Sequence, residues 1–114
     1  MKRFATLLVV LLAFPALAHG PYRIGTSQSL AYTHDAQANT ATQFEAYTTV
    51  VRITVTSDAY IAIAISGATA SATAATGTFL PADTPEYFIA SAGETIGITA
   101  AEVSGTLFVT EFTK

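Results

Sequence analysis

Two neighbouring stretches of the chain alternate large apolar side chains with polar or small ones at a period of two, a rhythm that fits a strand and not an amphipathic helix. In Thr49–Val55, Val51, Ile53 and Val55 share one face while Arg52 and Thr54 share the other. In Ala59–Ile65, Ile61, Ile63 and Ile65 point one way and Tyr60, Ala62 and Ala64 the other. Ser57-Asp58 lies between them with turn chemistry, so the pair reads as a hairpin.

The rest of the chain past residue 18 follows the same rhythm in shorter pieces. Thr78-Phe79-Leu80 precedes Pro81 and Pro85, which forbid a central strand between them. Glu86–Ala90 follows, turned by Ser91-Ala92-Gly93 into Glu94–Thr99, where Ile96 and Ile98 share a face. In Thr106–Phe112, Phe108 and Phe112 alternate with Leu107 and Val109. Thr and Ala make up 36 of the 96 residues past position 18; Thr suits a pleated surface and Ala suits close approach. Residues 66–77 carry no large side chain and fit either a flexible loop or a flat strand packed on a partner. Short strands about 8–12 residues apart predict an all-β body over 46–114, a small antiparallel sandwich or jelly-roll-like barrel. Residues 19–45 are predicted to form a polar extended arm with one short strand near Ser29–Thr33, Leu30 and Tyr32 being its large apolar groups between 25 and 43.

Residues 1–18 are a separate object. Lys2 and Arg3 precede an uncharged run from Phe4 to Phe14, Pro15 breaks it, and Ala16-Leu17-Ala18 ends it. This is the pattern of a secretory signal peptide cut between Ala18 and His19, the competing reading being an apolar helix retained inside an assembly. As a helix, Phe4–Ala18 rises about 22 Å, short of a bilayer's hydrocarbon core of roughly 30 Å. Any membrane contact is therefore expected only through residues 1–18.

Charge and cysteine content remove whole classes of function. Past residue 18 there are three bases against eight acids, too few cations to neutralise many phosphates, so no nucleic-acid partner is expected. With no cysteine there is no disulfide scaffold, thiolate zinc site or cysteine nucleophile.

Few constellations suggest chemistry, and each has a plainer reading. A mature terminus at His19 would offer its amine and ring to copper, with His34 as a further nitrogen. That resembles the histidine brace of copper-dependent polysaccharide monooxygenases and small periplasmic copper carriers. His34 lies only fifteen residues on, in the polar arm, and no metal or other cofactor is expected. His34-Asp35 are sequence neighbours, which on a strand point to opposite faces, and no Gly-x-Ser-x-Gly elbow is present, so no catalytic residues are expected. Asp83 and Glu86 flank Pro85 and read as a turn former and a strand start rather than a calcium pair. Arg52 is expected to pair with Glu45, Glu86 or Glu111. Tyr60, Tyr87 and Phe88 are expected in the core rather than in a sugar platform.

The order of motifs then carries a resemblance over residues 20–114. Arg23–Thr33 (RIGTSQSLAYT), Thr49-Val50-Val51-Arg52-Ile53, Phe79–Phe88 (FLPADTPEYF) and Ser104–Glu111 (SGTLFVTE) occur in sequence. The chain resembles a family of small proteins encoded among the structural genes of tailed bacteriophages. Its members carry a Thr-Val-Val-Arg strand, a Leu-Pro-Ala-x-x-Pro-Glu-Tyr-Phe segment and a Ser-Gly-Thr-Leu-Tyr-Val-Thr-Glu end. They begin near the Arg-Ile segment, without a leader. The resemblance implies a β-sandwich virion component of capsid-decorating or fibre-associated type. The expected protein is thus non-catalytic and homo-oligomeric, a trimer in the first instance, located in the virion and bound to a capsid or tail/fibre protein. The alternative is a secreted or periplasmic β-sandwich module that binds a carbohydrate or a metal ion such as copper.

Overall fold

The computed structural model describes residues 22–40, 42–65 and 70–113. The expected N-terminal helix or signal segment, with Ala18 and His19, lies outside them. The described residues form eight strands: β1 (Arg23–Tyr32), β2 (Ala38–Asn39), β3 (Thr48–Val55), β4 (Ala59–Ala64), β5 (Thr78–Leu80), β6 (Glu86–Ile89), β7 (Thr95–Ala100) and β8 (Gly105–Thr113). They build two four-stranded sheets, one ordered β1-β8-β3-β6 (sheet A) and the other β2-β7-β4-β5 (sheet B), with every pairing antiparallel.

The pairs are nested: β1 with β8, β2 with β7, β3 with β6, β4 with β5. The chain behaves as one long ribbon doubled back at its midpoint and wrapped into two layers. The ribbon doubles back between β4 and β5. Two expectations are corrected here. Ser57-Asp58 is no hairpin turn, because β3 lies in sheet A and β4 in sheet B; it is a link between layers. The arm expected over 19–45 is, where described, part of the sandwich. Its strand is not a short one at Ser29–Thr33 but the ten-residue β1, paired along its length with β8 around an irregularity between Ile24 and Ser27.

The alternation seen in the sequence decides what lies between the sheets. Val51, Ile53 and Val55 from β3, Leu107 and Val109 from β8, Ile61 from β4, and Ile96 and Ile98 from β7 are buried and form one core. Burying each such side chain contributes roughly 1.5–3 kcal/mol. Ile65, expected on the inner face of β4, lies past the strand's end and is exposed.

Tyr32 closes the core at the end where β1 stops. Its ring is buried, its hydroxyl donates to the Ser57 carbonyl, and it accepts the Ser57 N–H at 3.2 Å, so the last residue of β1 holds the β3–β4 link. Gly105 is required beside it: a Cβ there would meet the Tyr32 hydroxyl at 2.5 Å. Burial pushes the Tyr32 phenol above its ordinary 10.0, with the Ser57 hydrogen bond pulling partly the other way. A raised phenol keeps its proton in the folded chain after the unfolded chain has lost it. Tyr32 therefore contributes fully below pH 10 and loses its contribution as pH rises through the folded value. Tyr32→Phe is expected to cost about 1–2 kcal/mol at neutral pH by removing both hydrogen bonds. Thermal melts from neutral to strongly alkaline pH should show that difference shrinking above pH 10.

Candidate functional site

Two surfaces stand out, one on each sheet. The outer face of sheet A is built in transverse rows by the strand register. Ile24 of β1 faces Phe112 of β8, Phe112 faces Val50 of β3, and Val50 faces Ile89 of β6, so one apolar row crosses all four strands. Its ends are open, Ile24 being 73% and Ile89 87% exposed. The next row runs Ser27, Thr110, Arg52, Tyr87, and the one after it Ser29, Phe108, Thr54. Arg52 therefore stands in an apolar and hydroxylated surface. Its guanidinium lies 6.0 Å from the centre of the Phe112 ring and reaches Thr110 Oγ1 at 3.5 Å.

Sheet B carries a second feature. The β3–β4 link, β5 and the residues after β7 frame an open groove of about 490 Å³, with Asp58, Tyr60, Phe79, Glu102 and Val103 in its wall. The Tyr60 and Phe79 rings are tilted against each other at 5.8 Å between centroids, because Tyr60 and Phe79 are register partners of β4 and β5. Asp58 spends one carboxylate oxygen on the Ala82 N–H at 2.7 Å. Glu102 is exposed and makes no hydrogen bond among the described residues. The groove thus offers two acids beside two rings.

A smaller groove adjoins it across Tyr60, bordered by His34, Gln37 and Thr73. One wall is the described part of the Ala/Thr stretch, which is packed on this chain's own sheet. Thr99 Oγ1 donates to the Ala72 carbonyl at 2.9 Å, Gln37 Nε2 donates to the Ala70 carbonyl, and Ala70 and Ala72 are buried. Gly97 lies directly beneath, where a Cβ would meet the Ala70 oxygen at 2.5 Å.

The one buried carboxylate among the described residues closes the opposite end. Glu111, on the inner face of β8, is 0% exposed. Its Oε1 accepts the Glu45 N–H at 2.8 Å and the Thr48 hydroxyl at 2.6 Å, while Oε2 has no partner. It pins the chain entering β3 to the last strand. Glu45 in turn accepts a hydrogen bond from Thr26, and Gln28 holds both backbone groups of Thr42.

The residues singled out in the sequence are scattered. His34 lies in a bend on the surface, not on a strand, and its Nδ1 approaches Asp35 Oδ1 at 3.6 Å, both side chains being solvated. The expectation that neighbours on a strand would point apart is therefore corrected. No group of three or more metal-ligating side chains converges among the described residues. Asp83 takes a left-handed φ of 57° in the turn before β6, and Glu86 opens that strand. Arg52 pairs with none of Glu45, Glu86 or Glu111: β8 turns Thr110 outward beside it and Glu111 inward, and in β6 its register partner is Tyr87, while Glu86 faces Ile53. Tyr87, expected in the core, is 62% exposed beside Phe112, whereas Phe88 packs against the core.

No protein-family model, curated protein or solved structure matches the chain.

Proposed function

We propose that this protein is a non-catalytic structural subunit of a virion, a homo-oligomer that decorates a capsid or accompanies a tail fibre. The observation that carries the reading is the apolar row Ile24–Phe112–Val50–Ile89. A monomer in water gains nothing by presenting large side chains across four strands, and a subunit that is covered on assembly does. The nested strand pairing supports it by analogy of fold, since the order β1-β8-β3-β6 over β2-β7-β4-β5 is that of the eight-stranded jelly roll, an architecture that serves viral capsid domains. The scarcity of charge, 11% of residues, suits surfaces that meet other protein surfaces. A trimer is the expected assembly.

The groove at Tyr60 and Phe79 favours a second reading, an exported module that takes a carbohydrate across its rings. Fractionating the producing culture separates the two. The first reading expects the chain to sediment with virus particles at many copies per particle, as detected by mass spectrometry. A chain that starts at His19, is free of particles and is found in the periplasm or medium would overturn it in favour of the second.

A further inference from the structure

Resting on the homo-oligomer reading above, we propose that copies of this chain dock head to tail. The outer face of sheet A on one copy covers the groove of sheet B on the next, and Arg52 enters that groove between Asp58 and Glu102, against the Tyr60–Phe79 ring pair.

The two surfaces are complementary in charge, and each lacks its counter-charge among the described residues. Among the described residues the bases are Arg23 and Arg52, and no carboxylate lies within ion-pair distance of Arg52. The groove offers Asp58 and Glu102 and has no base in its wall. A guanidinium matches this groove in both respects, since it pairs with carboxylates through fixed N–H donors and stacks on aromatic faces. The apolar surroundings match as well: Ile89, Tyr87 and Phe108 stand exposed around Arg52, and Phe79 and Val103 stand exposed at the groove. A two-fold contact of sheet A with itself would bring like charges toward each other around a common axis, which complementarity between unlike patches avoids. Because the two patches differ, the contact is heterologous and propagates, closing into a ring if the rotation allows it and extending as a filament if it does not.

Charge exchange on the full-length protein, followed by sedimentation velocity, tests this. Arg52→Glu and Glu102→Arg are both exposed changes, so the fold is retained, which thermal melts would verify; Asp58 is left alone because it holds Ala82. Each variant alone is expected to weaken association at least tenfold. Both changes in one chain are expected to restore it, because every contact then sets the exchanged side chains against each other as a pair of opposite charge; a mixture of the single variants is not used, since alternating copies cannot close a three-membered ring. An oligomer that ignores both changes, or a double variant that stays as weak as the single ones, overturns the head-to-tail contact while leaving the homo-oligomer standing. A wild-type protein that stays monomeric overturns both.

Discussion

Replacing Glu111 with Ala is expected to lower the stability of the domain by about 3–5 kcal/mol, the largest effect of any polar substitution in the sandwich. The side chain accepts from the Glu45 N–H and the Thr48 hydroxyl, and Thr48 is itself buried. Removing it strands the buried Thr48 hydroxyl, takes the acceptor from the half-buried Glu45 N–H and opens a cavity at the end of the core. The conservative Glu111→Gln keeps an acceptor in the Oε1 position and exchanges the unpartnered Oε2 for an amide, so it is expected to cost about 1–2 kcal/mol. Urea denaturation of the two variants gives the comparison. Equal losses would mean that the carboxylate only fills space.

Gly97→Val is expected to cost about 3 kcal/mol or more, by a different route. Even a Cβ at this position would lie 2.5 Å from the Ala70 carbonyl oxygen and 2.6 Å from Gln37 Nε2. A branched side chain must lift the Ala70–Gly77 segment off β7, breaking the contacts through Gln37 and Thr99. The central strand β7 should remain paired with β4, since its Ile96 and Ile98 face the opposite way into the core. Hydrogen exchange would then show new exposure at residues 70–77, with the amides of β4 and β7 still protected. Uniform loss of protection would contradict the view that this segment is a strap laid over a finished sheet.

These two sites also show what a single sequence discloses. The period of two in β3 named Val51, Ile53 and Val55 correctly as one buried face, because a half-buried strand sorts its side chains by solvent alone. The same logic placed Ile96 and Ile98 together. Turn chemistry was less informative. Ser57-Asp58 marks a reversal, but nothing local says whether the chain returns in the same sheet or crosses to the other. The first half of β1 was hidden because its inward positions include Thr26 and Gln28, which spend themselves on hydrogen bonds to Glu45 and Thr42 instead of on apolar burial, whereas the part around Leu30 and Tyr32 was expected as a strand. Tyr87 and Ile89 look like core residues in any hydrophobicity pattern, and only the register with Arg52 and Val50 reveals that they face outward.

The groove was the least legible feature. Asp58, Phe79 and Glu102 lie far apart in the chain and meet only because β5 and the residues after β7 flank β4 in sheet B. Arg52 was legible as the one base between Arg23 and Lys114, yet it pairs with none of the acids expected for it. An outward base whose neighbouring carboxylate turns inward is set by the parity of β8, which the sequence does not reveal until its register with β3 is known.

As the virion subunit proposed above, this small sandwich works by adhering to its own kind. The mass of the intact protein at micromolar concentration, from light scattering coupled to gel filtration, tests it most directly. A defined multimer with little monomer is the expected result. A single monomeric species across that range would contradict it, leaving the apolar row of sheet A without the role assigned to it.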